Sequence, residues 1–440
     1  MSSLTTTADA PESSSRRLRP AVWSVPAILT AIVAVWILLP LWPMESMGVF
    51  IDLQVYRLGV DALRHGADMY GQLPKTTIGA GLPFIYPPFA ALALGPFALL
   101  PFAVAAPAFF VCSVVALGIT LYLVARRIWP GEQQRKLALL ATLCATPLGL
   151  MLEPVHATLG FGQVNLLLMM LVAADCLTEK PRWRRGVLIG IAAAIKLTPA
   201  AFVLYFLVRK DYRSAITAAI TGAIATGLSF AILPKESVKY WFGGLGNVSG
   251  LSGSAFYTNQ SIQGVLSRLR VPEPVFTGLW LLLGALVLAL VVTAMRQVAA
   301  FPALALSINA VFTLLLSPIS WSHHWVWIAP GLFALVGLVL RLPRRGIGWY
   351  LTIAVVAAVF VTGPHNWLPH GDDLEARWAP WEHVVGDTYV WFSVLLVAGL
   401  VYYYRRRANA DARACRESVE ATDPTVPNAQ TPTGTPVPGS

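Results

Sequence analysis

The sequence predicts an all-α protein that crosses a membrane many times, and three observations support this prediction. First, 56% of the 440 residues are hydrophobic and 12% are charged, whereas a soluble domain carries roughly 25% charged residues. Second, the stretches 27–39, 98–125 and 279–292 contain no charge. Third, apolar runs of about 18 to 20 residues, long enough to span a bilayer, recur along the chain. These features exclude a soluble enzyme, a nucleic-acid binder and a disulfide-stapled secreted domain.

Basic clusters orient the predicted spans. Lys and Arg collect at the cytoplasmic side of a membrane protein, and one threading puts the clusters at 126–136, 180–185, 209–213, 341–345 and 405–407 on that side. Its even number of spans places both termini in the cytoplasm, with an uncleaved first helix. The predicted spans are about 21–42, 103–125, 137–153, 163–177, 214–233, 275–295, 299–316, 325–341, 347–363 and 389–404.

Two apolar stretches do not fit as simple spans, and with them the prediction is about 10–12 membrane helices. Residues 86–100 are rich in proline, and counting them as a crossing would move the 126–136 cluster outside. Residues 186–208 have basic clusters at both ends and Lys196-Leu197-Thr198-Pro199 in the middle. Because proline removes a backbone donor and breaks a helix, we expect two membrane-embedded half-helices that return to the same side.

The threading divides the chain into a cytoplasmic segment at 1–20, a transmembrane domain at 21–407 and a cytoplasmic tail at 408–440. The tail is charged and then rich in Pro, Thr and Gly, so it is expected to be disordered. All seven histidines fall on the outer face. Groups that can exchange protons are therefore concentrated at one membrane face, which indicates a site at the external interface.

The first external segment, residues 43–83, contains Asp52 among apolar neighbours. A carboxylate held at a membrane interface is partly desolvated, which raises its pKa and its strength as a base. Asp is also a preferred helix N-cap. The residues alone leave these two interpretations of Asp52 open.

Other outer segments supply further candidates, each with a structural alternative. Tyr86 lies in a Tyr-Pro-Pro turn that fits an aromatic belt or the wall of a lipid-sugar cleft. Gln163 and Asn165 lie at the end of an expected external turn at 156–165, in the first turn of the apolar helix after it, and could bind sugar hydroxyls or other helices. Lys196 is an ionisable residue inside an apolar run, a position that is usually functional, although its side chain could snorkel to an interface.

Two later loops complete the set. Asn259 and Gln260 could bridge sugar hydroxyls, and Arg268 could hold a phosphate through paired hydrogen bonds, with interfacial anchoring as the alternative. The densest polar cluster, residues 317–325, contains Trp321 and the pair His323-His324. Histidine can donate to a phosphate or transfer a proton near neutral pH, and an adjacent pair lacks the usual spacing of a metal site.

Six blocks of this sequence resemble the integral-membrane glycosyltransferases of the GT-C class. Within that class they are similar to the mycobacterial polyprenyl-phosphate-mannose-dependent alpha-1,2-mannosyltransferases of phosphatidylinositol-mannoside and lipomannan assembly. The blocks extend from about residue 50 to residue 325. They are Asp52-Leu53-Gln54-Val55-Tyr56, Tyr86-Pro87-Pro88, Gly162-Gln163-Val164-Asn165, Ile195-Lys196-Leu197-Thr198-Pro199, Asn259-Gln260-Ser261 and Ser317-Pro318-Ile319-Ser320-Trp321-Ser322-His323-His324.

The resemblance implies a GT-C fold with extracytoplasmic catalytic loops, a polyprenyl-phosphate sugar as donor and a phosphatidylinositol mannoside as acceptor. It implies that Asp52 is the catalytic base of an inverting transfer, which favours that interpretation over the N-cap. Fixed donors must then stabilise the leaving phosphate, and the candidates, in falling order, are His323, His324, Lys196 and Arg268. No nucleotide, other cofactor or metal is expected.

Three alternatives remain open from the sequence. Related enzymes branch lipomannan or lipoarabinomannan with alpha-1,2-mannose, and others transfer arabinofuranose from a different polyprenyl-phosphate donor. A lipid or solute transporter would explain the broken element at 186–208, but not the concentration of polar residues at one face. Surrounding membrane lipids are the other expected partners, and the oligomeric state is not predicted.

Overall fold

The computed structural model of the protein describes residues 20–38, 50–244, 254–342, 345–371 and 373–422. Within them the chain forms α-helices and short 3-10 and π segments and contains no strand, so the all-α prediction is confirmed there. The α-helices are α1 Ser24–Leu38, α2 Ile51–Arg64, α3 Pro88–Leu99, α4 Phe102–Ile128, α5 Arg135–Leu150, α6 Glu153–Phe161, α7 Asn165–Leu177, α8 Val187–Ile195, α9 Val203–Val208, α10 Tyr212–Ile232, α11 Pro234–Val238, α12 Ile262–Arg268, α13 Val275–Gln297, α14 Pro302–Leu316, α15 Ile328–Arg341, α16 Ile347–Thr362, α17 Pro380–Gly386 and α18 Thr388–Thr422.

The protein is a multi-pass membrane protein, as predicted. A helix lies in each of the ten predicted spans. By length and composition, four described helices can cross a membrane, and six can if each of two bent pairs is one span. Shorter apolar helices of 10–17 residues occupy other predicted spans, below the ~20 residues that a perpendicular crossing needs. The four long helices are Phe102–Ile128, Tyr212–Ile232, Val275–Gln297 and Ser322–Arg341.

The element at 186–208 is broken at its middle, as predicted. Helix α8 ends at Ile195, Lys196 has extended backbone angles, and a 3-10 helix, Thr198–Phe202, leads into α9. Arg185 before α8 and Arg209 after α9 both interact electrostatically with Arg127 near the end of α4. The two flanks of the element therefore lie at the same end of the bundle, which is the arrangement expected of two half-helices.

Residues of four of the five predicted cytoplasmic clusters meet at that end. The guanidinium of Arg127 donates to the carbonyl of Leu177 at 2.6 Å. Arg341 donates to the carbonyl of Arg127 at 3.0 Å, and Arg209 donates to the carbonyl of Ala299 at 3.1 Å. These arginines satisfy carbonyl groups that helix ends leave without an intrahelical partner. Charges far apart in sequence thus share one end of the bundle.

The expected external turn at 156–165 is wrong for most of its length, because residues 153–161 form α6. Pro154 lies in the first turn, where its missing N–H costs nothing, and Gly162 ends the helix in the left-handed region with φ 64°. Helix α6 makes a bent pair with the preceding helical segment, at 74°. The bend directs α6 across the neighbouring helices instead of along the span.

The chain ends differ from the sequence prediction in one respect. Helix α18 continues to Thr422, beyond residue 408, where the disordered tail was expected to begin. Alternating Ala residues at 408, 410, 412 and 414 favour helix, which explains the extension. The predicted N-terminal segment lies outside the described residues except for Pro20, and so does the tail from residue 423 onwards.

Candidate functional site

Asp52 lies in the first turn of α2, where the end of α6 fixes the start of this helix. The backbone N–H of Phe50 donates to the carbonyl of Gly160 at 3.1 Å, and Phe50 itself has φ 43°. Phe50 is the N-cap residue, and no side chain makes a capping hydrogen bond there. The interpretation of Asp52 as an N-cap is therefore wrong.

The pKa of Asp52 is raised from 3.8 to about 6, chiefly because burial disfavours the charged carboxylate. The positive charge of Lys196 and a hydrogen bond from Gln163 oppose this rise. A carboxylate with a pKa near 6 is mostly ionised at neutral pH and is a much stronger base than an ordinary aspartate. Asp52 can therefore accept a proton from a hydroxyl group held beside it.

A buried network of polar side chains connects α2 to the following segments. The phenol of Tyr56 donates to Oε1 of Gln163 at 2.5 Å, and Nε2 of Gln163 donates to the phenol oxygen of Tyr86 at 3.0 Å. The two tyrosine rings pack edge to face with centroids 5.1 Å apart. Gln163 also hydrogen-bonds Asp52, so the network of Gln163, Tyr86 and Tyr56 surrounds this carboxylate.

Lys196 reaches this centre from the break between the half-helices. Its Nζ donates to Oδ1 of Asn165 at 3.0 Å and lies 3.2 Å from Nε2 of His324. The ammonium also lies 5.7 Å from the ring centroid of Tyr86, within the range of a cation–π interaction. The extended backbone at Lys196 therefore places one positive charge between the predicted sugar-binding amides and the histidine pair.

His323 is held mainly through its backbone. Its carbonyl accepts hydrogen bonds from Oγ1 of Thr158 at 2.6 Å and from Nδ2 of Asn165 at 2.9 Å. The imidazole packs against Phe161 and His324, and its Nε2 has no hydrogen-bond partner among the described residues. His323 thus keeps a buried ring nitrogen that could act on a ligand.

A cavity opens beside Lys196, and polar groups line one side of it. The cavity is small, with a volume of about 40 Å³. The polar lining comes from Asn165, Lys196, Thr198, Ser320 and His324, and the other lining residues are mainly apolar. One cation and several hydrogen-bonding groups beside apolar residues give this pocket the chemistry that a small anionic group such as a phosphate requires.

Gly162 permits the close contact between α6 and α2. A Cβ atom at this position would lie 2.9 Å from a ring carbon of Phe50 and 3.0 Å from Cβ of Leu53. The positive φ of Gly162 is also a conformation that side chains disfavour. The glycine that begins the Gly-Gln-Val-Asn block is therefore needed for the placement of Asp52.

Arg268 lies in a separate buried cluster. Its Nη2 is 2.6 Å from Oδ1 of Asp387, and its other donors reach the carbonyls of Phe256 at 3.0 Å and Asn259 at 3.0 Å. Its guanidinium also lies over the ring of Trp378. Protein groups already accept hydrogen bonds from its guanidinium, so the prediction that Arg268 binds the donor phosphate is wrong.

The side-chain amides of Asn259 and Gln260 connect their own segment to two other segments of the chain. Oδ1 of Asn259 accepts from the N–H of Ser320 at 3.0 Å, and Nε2 of Gln260 donates to the carbonyl of Gly386 at 2.7 Å. The backbones of Asn259 and Trp321 also form an isolated antiparallel β-bridge. Both amides are fully buried, so the structure gives them the role of joining segments and not of facing the cavity described above.

Residues 84–318 match the family described as Glycosyltransferase family 87. Two similar proteins carry the name polyprenol-phosphate-mannose-dependent alpha-(1-2)-phosphatidylinositol mannoside mannosyltransferase. The Mycobacterium tuberculosis protein is 36% identical, over 89% of this chain and 93% of its own length. The Mycolicibacterium smegmatis protein is 37% identical, over 86% of this chain and 89% of its own length.

The chain belongs to glycosyltransferase family 87. The predictions of a glycosyltransferase and of this group of mannosyltransferase relatives are thereby confirmed, and the transporter interpretation is set aside. Among solved structures, ArnT from Cupriavidus metallidurans bound to undecaprenyl phosphate aligns with a TM-score of 0.38 and 16% identity, over 92% of this chain and 81% of that chain. At this TM-score the likeness supports no statement about the fold.

One buried carboxylate of this family 87 protein was missed by the sequence analysis. Oε1 of Glu153 accepts from Oγ of Ser322 at 2.8 Å, and Oε2 accepts from the phenol of Tyr389 at 2.8 Å. Nε2 of His365 lies 3.8 Å from the same carboxylate. Glu153 is the single acidic residue between Glu132 and Asp175 in the sequence, a signal that could have identified it.

Proposed function

We propose that this protein transfers mannose from polyprenyl-phosphate-mannose to a phosphatidylinositol mannoside and forms an alpha-1,2 linkage. The observation that carries the proposal is that Asp52, a carboxylate of raised pKa, interacts electrostatically with Lys196, whose ammonium lines a cavity. The printed names of the two mycobacterial relatives supply the donor and the acceptor class. Their identity extends over most of both chains, which favours the same reaction here.

The transfer is a single displacement with inversion at the anomeric carbon. The acceptor 2-hydroxyl oxygen forms the new bond to that carbon while its proton passes to Asp52. The electron pair of the broken bond leaves on the phosphate oxygen of the polyprenyl phosphate. Asp52 needs to act only as a general base, and the growing negative charge on the leaving group needs fixed donors.

Lys196 is the first of those donors. It carries the positive charge of the cavity wall, and Asn165 and His324 hold its Nζ in position. His323 is a second candidate because its buried Nε2 has no partner within the described chain. We leave Arg268 out of the donor-binding set, since Asp387 and backbone carbonyls already engage it.

The active centre faces the exterior, and both termini are cytoplasmic. The basic end of the bundle, where Arg127, Arg209 and Arg341 converge, supports this orientation, because positive charge marks the cytoplasmic side. Asp52 lies outside the helices that could span the membrane. The catalytic unit is the transmembrane domain at 21–407, with its base in the external segment at 43–83.

The test is transfer by the purified protein in lipid. Wild type is given polyprenyl-phosphate-mannose and a phosphatidylinositol mannoside, and the product is analysed for one added alpha-1,2-mannose. Asp52→Asn is expected to abolish transfer. The matched control is Asp61→Asn, which removes the same charge from an exposed position of the same helix and should retain transfer.

Three outcomes would contradict parts of the proposal. Normal transfer by Asp52→Asn would remove Asp52 from the role of base. Transfer to a lipomannan and not to the phosphatidylinositol mannoside would replace the acceptor. No mannose transfer together with pentose transfer from a polyprenyl-phosphate arabinofuranose would replace the donor.

A further inference from the structure

Lys196 lies close to two parts of the site. Its Nζ is 5.7 Å from the ring centroid of Tyr86, and Tyr86 is hydrogen-bonded to Gln163, which also hydrogen-bonds Asp52. Lys196 attracts Asp52 electrostatically, and it lines the cavity in which an anionic headgroup would lie. Asp52 is not among the residues that line this cavity. The lysine therefore stands between the base and the space for the phosphate.

The hydrogen bonds of Lys196 show whether Lys196 or His324 carries the positive charge in the cavity wall. An ammonium has three donors and no acceptor, so Nε2 of His324 must accept from Nζ. The imidazole also hydrogen-bonds the backbone at Ile319. His324 is then a neutral ring that orients the lysine, and the charge available to a phosphate is that of Lys196.

Resting on the proposed function, we propose that Lys196 is shared between Asp52 and the phosphate of the polyprenyl donor. The negative charge of the bound donor phosphate offsets the effect of the Lys196 ammonium on Asp52. The proton affinity of Asp52 then rises when the acceptor hydroxyl must be deprotonated. In the empty site the charge of Lys196 favours the ionised form of Asp52 from a distance, because Asn165 and His324 hold its Nζ. Donor binding and base strength are in this way two effects of one side chain.

Linkage makes this proposal testable without turnover. If the phosphate weakens the interaction between Lys196 and Asp52, then Asp52 must weaken phosphate binding by the same factor. Removing the charge of the base should therefore improve binding of the lipid phosphate while it abolishes catalysis. If Asp52 interacted only with the acceptor and not with Lys196, the effect of Asp52 on the affinity for the lipid phosphate would not depend on Lys196.

The experiment measures the Kd of polyprenyl phosphate, the non-reactive leaving group, at one fixed pH in detergent. Four proteins are compared: wild type, Asp52→Asn, Lys196→Gln and the double variant. We expect Asp52→Asn to bind at least about fivefold more tightly than wild type. In the Lys196→Gln background the same change should give a smaller gain, because direct repulsion between Asp52 and the phosphate alone remains.

Asp61→Asn is the matched control, since it makes the same change of net charge on the same helix, and its Kd should stay within about twofold of wild type. Unchanged or weaker binding by Asp52→Asn would overturn the shared lysine and leave the proposed function intact. An equal gain in both backgrounds would overturn it as well. If wild type and Asp52→Asn both fail to bind polyprenyl phosphate, the proposed donor fails together with this inference.

Discussion

The raised pKa of Asp52 predicts how transfer depends on pH. Burial raises that pKa to about 6 from its usual 3.8, and the carboxylate must be ionised to act as a base. With a pKa of about 6, roughly 91% of Asp52 is ionised at pH 7 and roughly 9% at pH 5. An ordinary aspartate would still be about 94% ionised at pH 5. We therefore expect kcat/KM for the donor to fall about tenfold from pH 7 to pH 5.

The assay is the initial rate of mannose transfer at donor concentrations well below KM, between pH 5 and pH 8. Under this condition kcat/KM reports the free enzyme. The donor is a phosphodiester with one negative charge throughout this range, so its own titration does not interfere. A return to pH 7 after incubation at pH 5 must restore the rate, which separates titration from loss of the fold.

Lys196 supplies the second part of the same test. Its positive charge lowers the pKa of Asp52, so Lys196→Gln should move the acid limb to higher pH, in addition to weakening donor binding. The matched control is Lys75→Gln, an exposed lysine of the first external segment, which should leave the limb in place. A rate that stays constant from pH 7 to pH 5 in folded wild type would refute the assignment of the base.

Two further predictions concern Arg268, in its separate buried cluster, and Gly162, next to the start of α2. Arg268→Met should lower the free energy of unfolding by about 3–5 kcal/mol, since it removes the arginine partner of the buried Asp387 carboxylate and leaves only His383 beside it. Thermal unfolding measures this loss. An unchanged donor KM in the folded fraction would agree with a purely structural role. Gly162→Ala should lower kcat at least about tenfold, because the added Cβ would clash with Phe50. The control is Gly66→Ala, at a similar φ of 69° with open space around it, which should keep its activity.

Much of the membrane architecture follows from local sequence, because a membrane helix depends mainly on its own apolar length. A helix lies in each predicted span for this reason. The break at Lys196 was equally predictable, since Pro199 removes a backbone donor in an apolar run. By contrast, α6 is only nine residues long, and a short helix between two turns has no periodicity strong enough to predict it.

The site was only partly predictable, because hydrogen-bond partners are chosen by the tertiary fold. The sequence placed Asp52, Lys196 and His324 on one list of candidates, and the structure brings them together. The sequence could not show that Arg268 donates a hydrogen bond to Asp387, which lies 119 residues further along the chain. Charge and residue type identify a group that can bind a phosphate, whereas only packing decides whether its donors are free.

Glu153 provides the last prediction, since it connects three elements around the histidine pair. From the start of α6 it accepts hydrogen bonds from Ser322, next to His323, and from Tyr389 on α18. Glu153→Ala leaves both buried hydroxyls without an acceptor, at a cost of about 1–3 kcal/mol each, and frees the segment that orients His324. Glu153→Gln retains one carbonyl oxygen for Ser322.

We therefore expect Glu153→Ala to lower kcat at least about tenfold and Glu153→Gln to recover most of that loss. Since Glu153 acts through the position of Ser322 and His323, polyprenyl phosphate should still bind to the folded Glu153→Ala protein. Equal loss of kcat in both variants would instead require the negative charge of Glu153 itself, and a carboxylate that acts by charge would be a second titrating group in the pH profile of transfer. The two variants thus separate an acceptor that orients the helical segment Ser322–Trp327, which carries the histidine pair, from an acid that takes part in proton transfer.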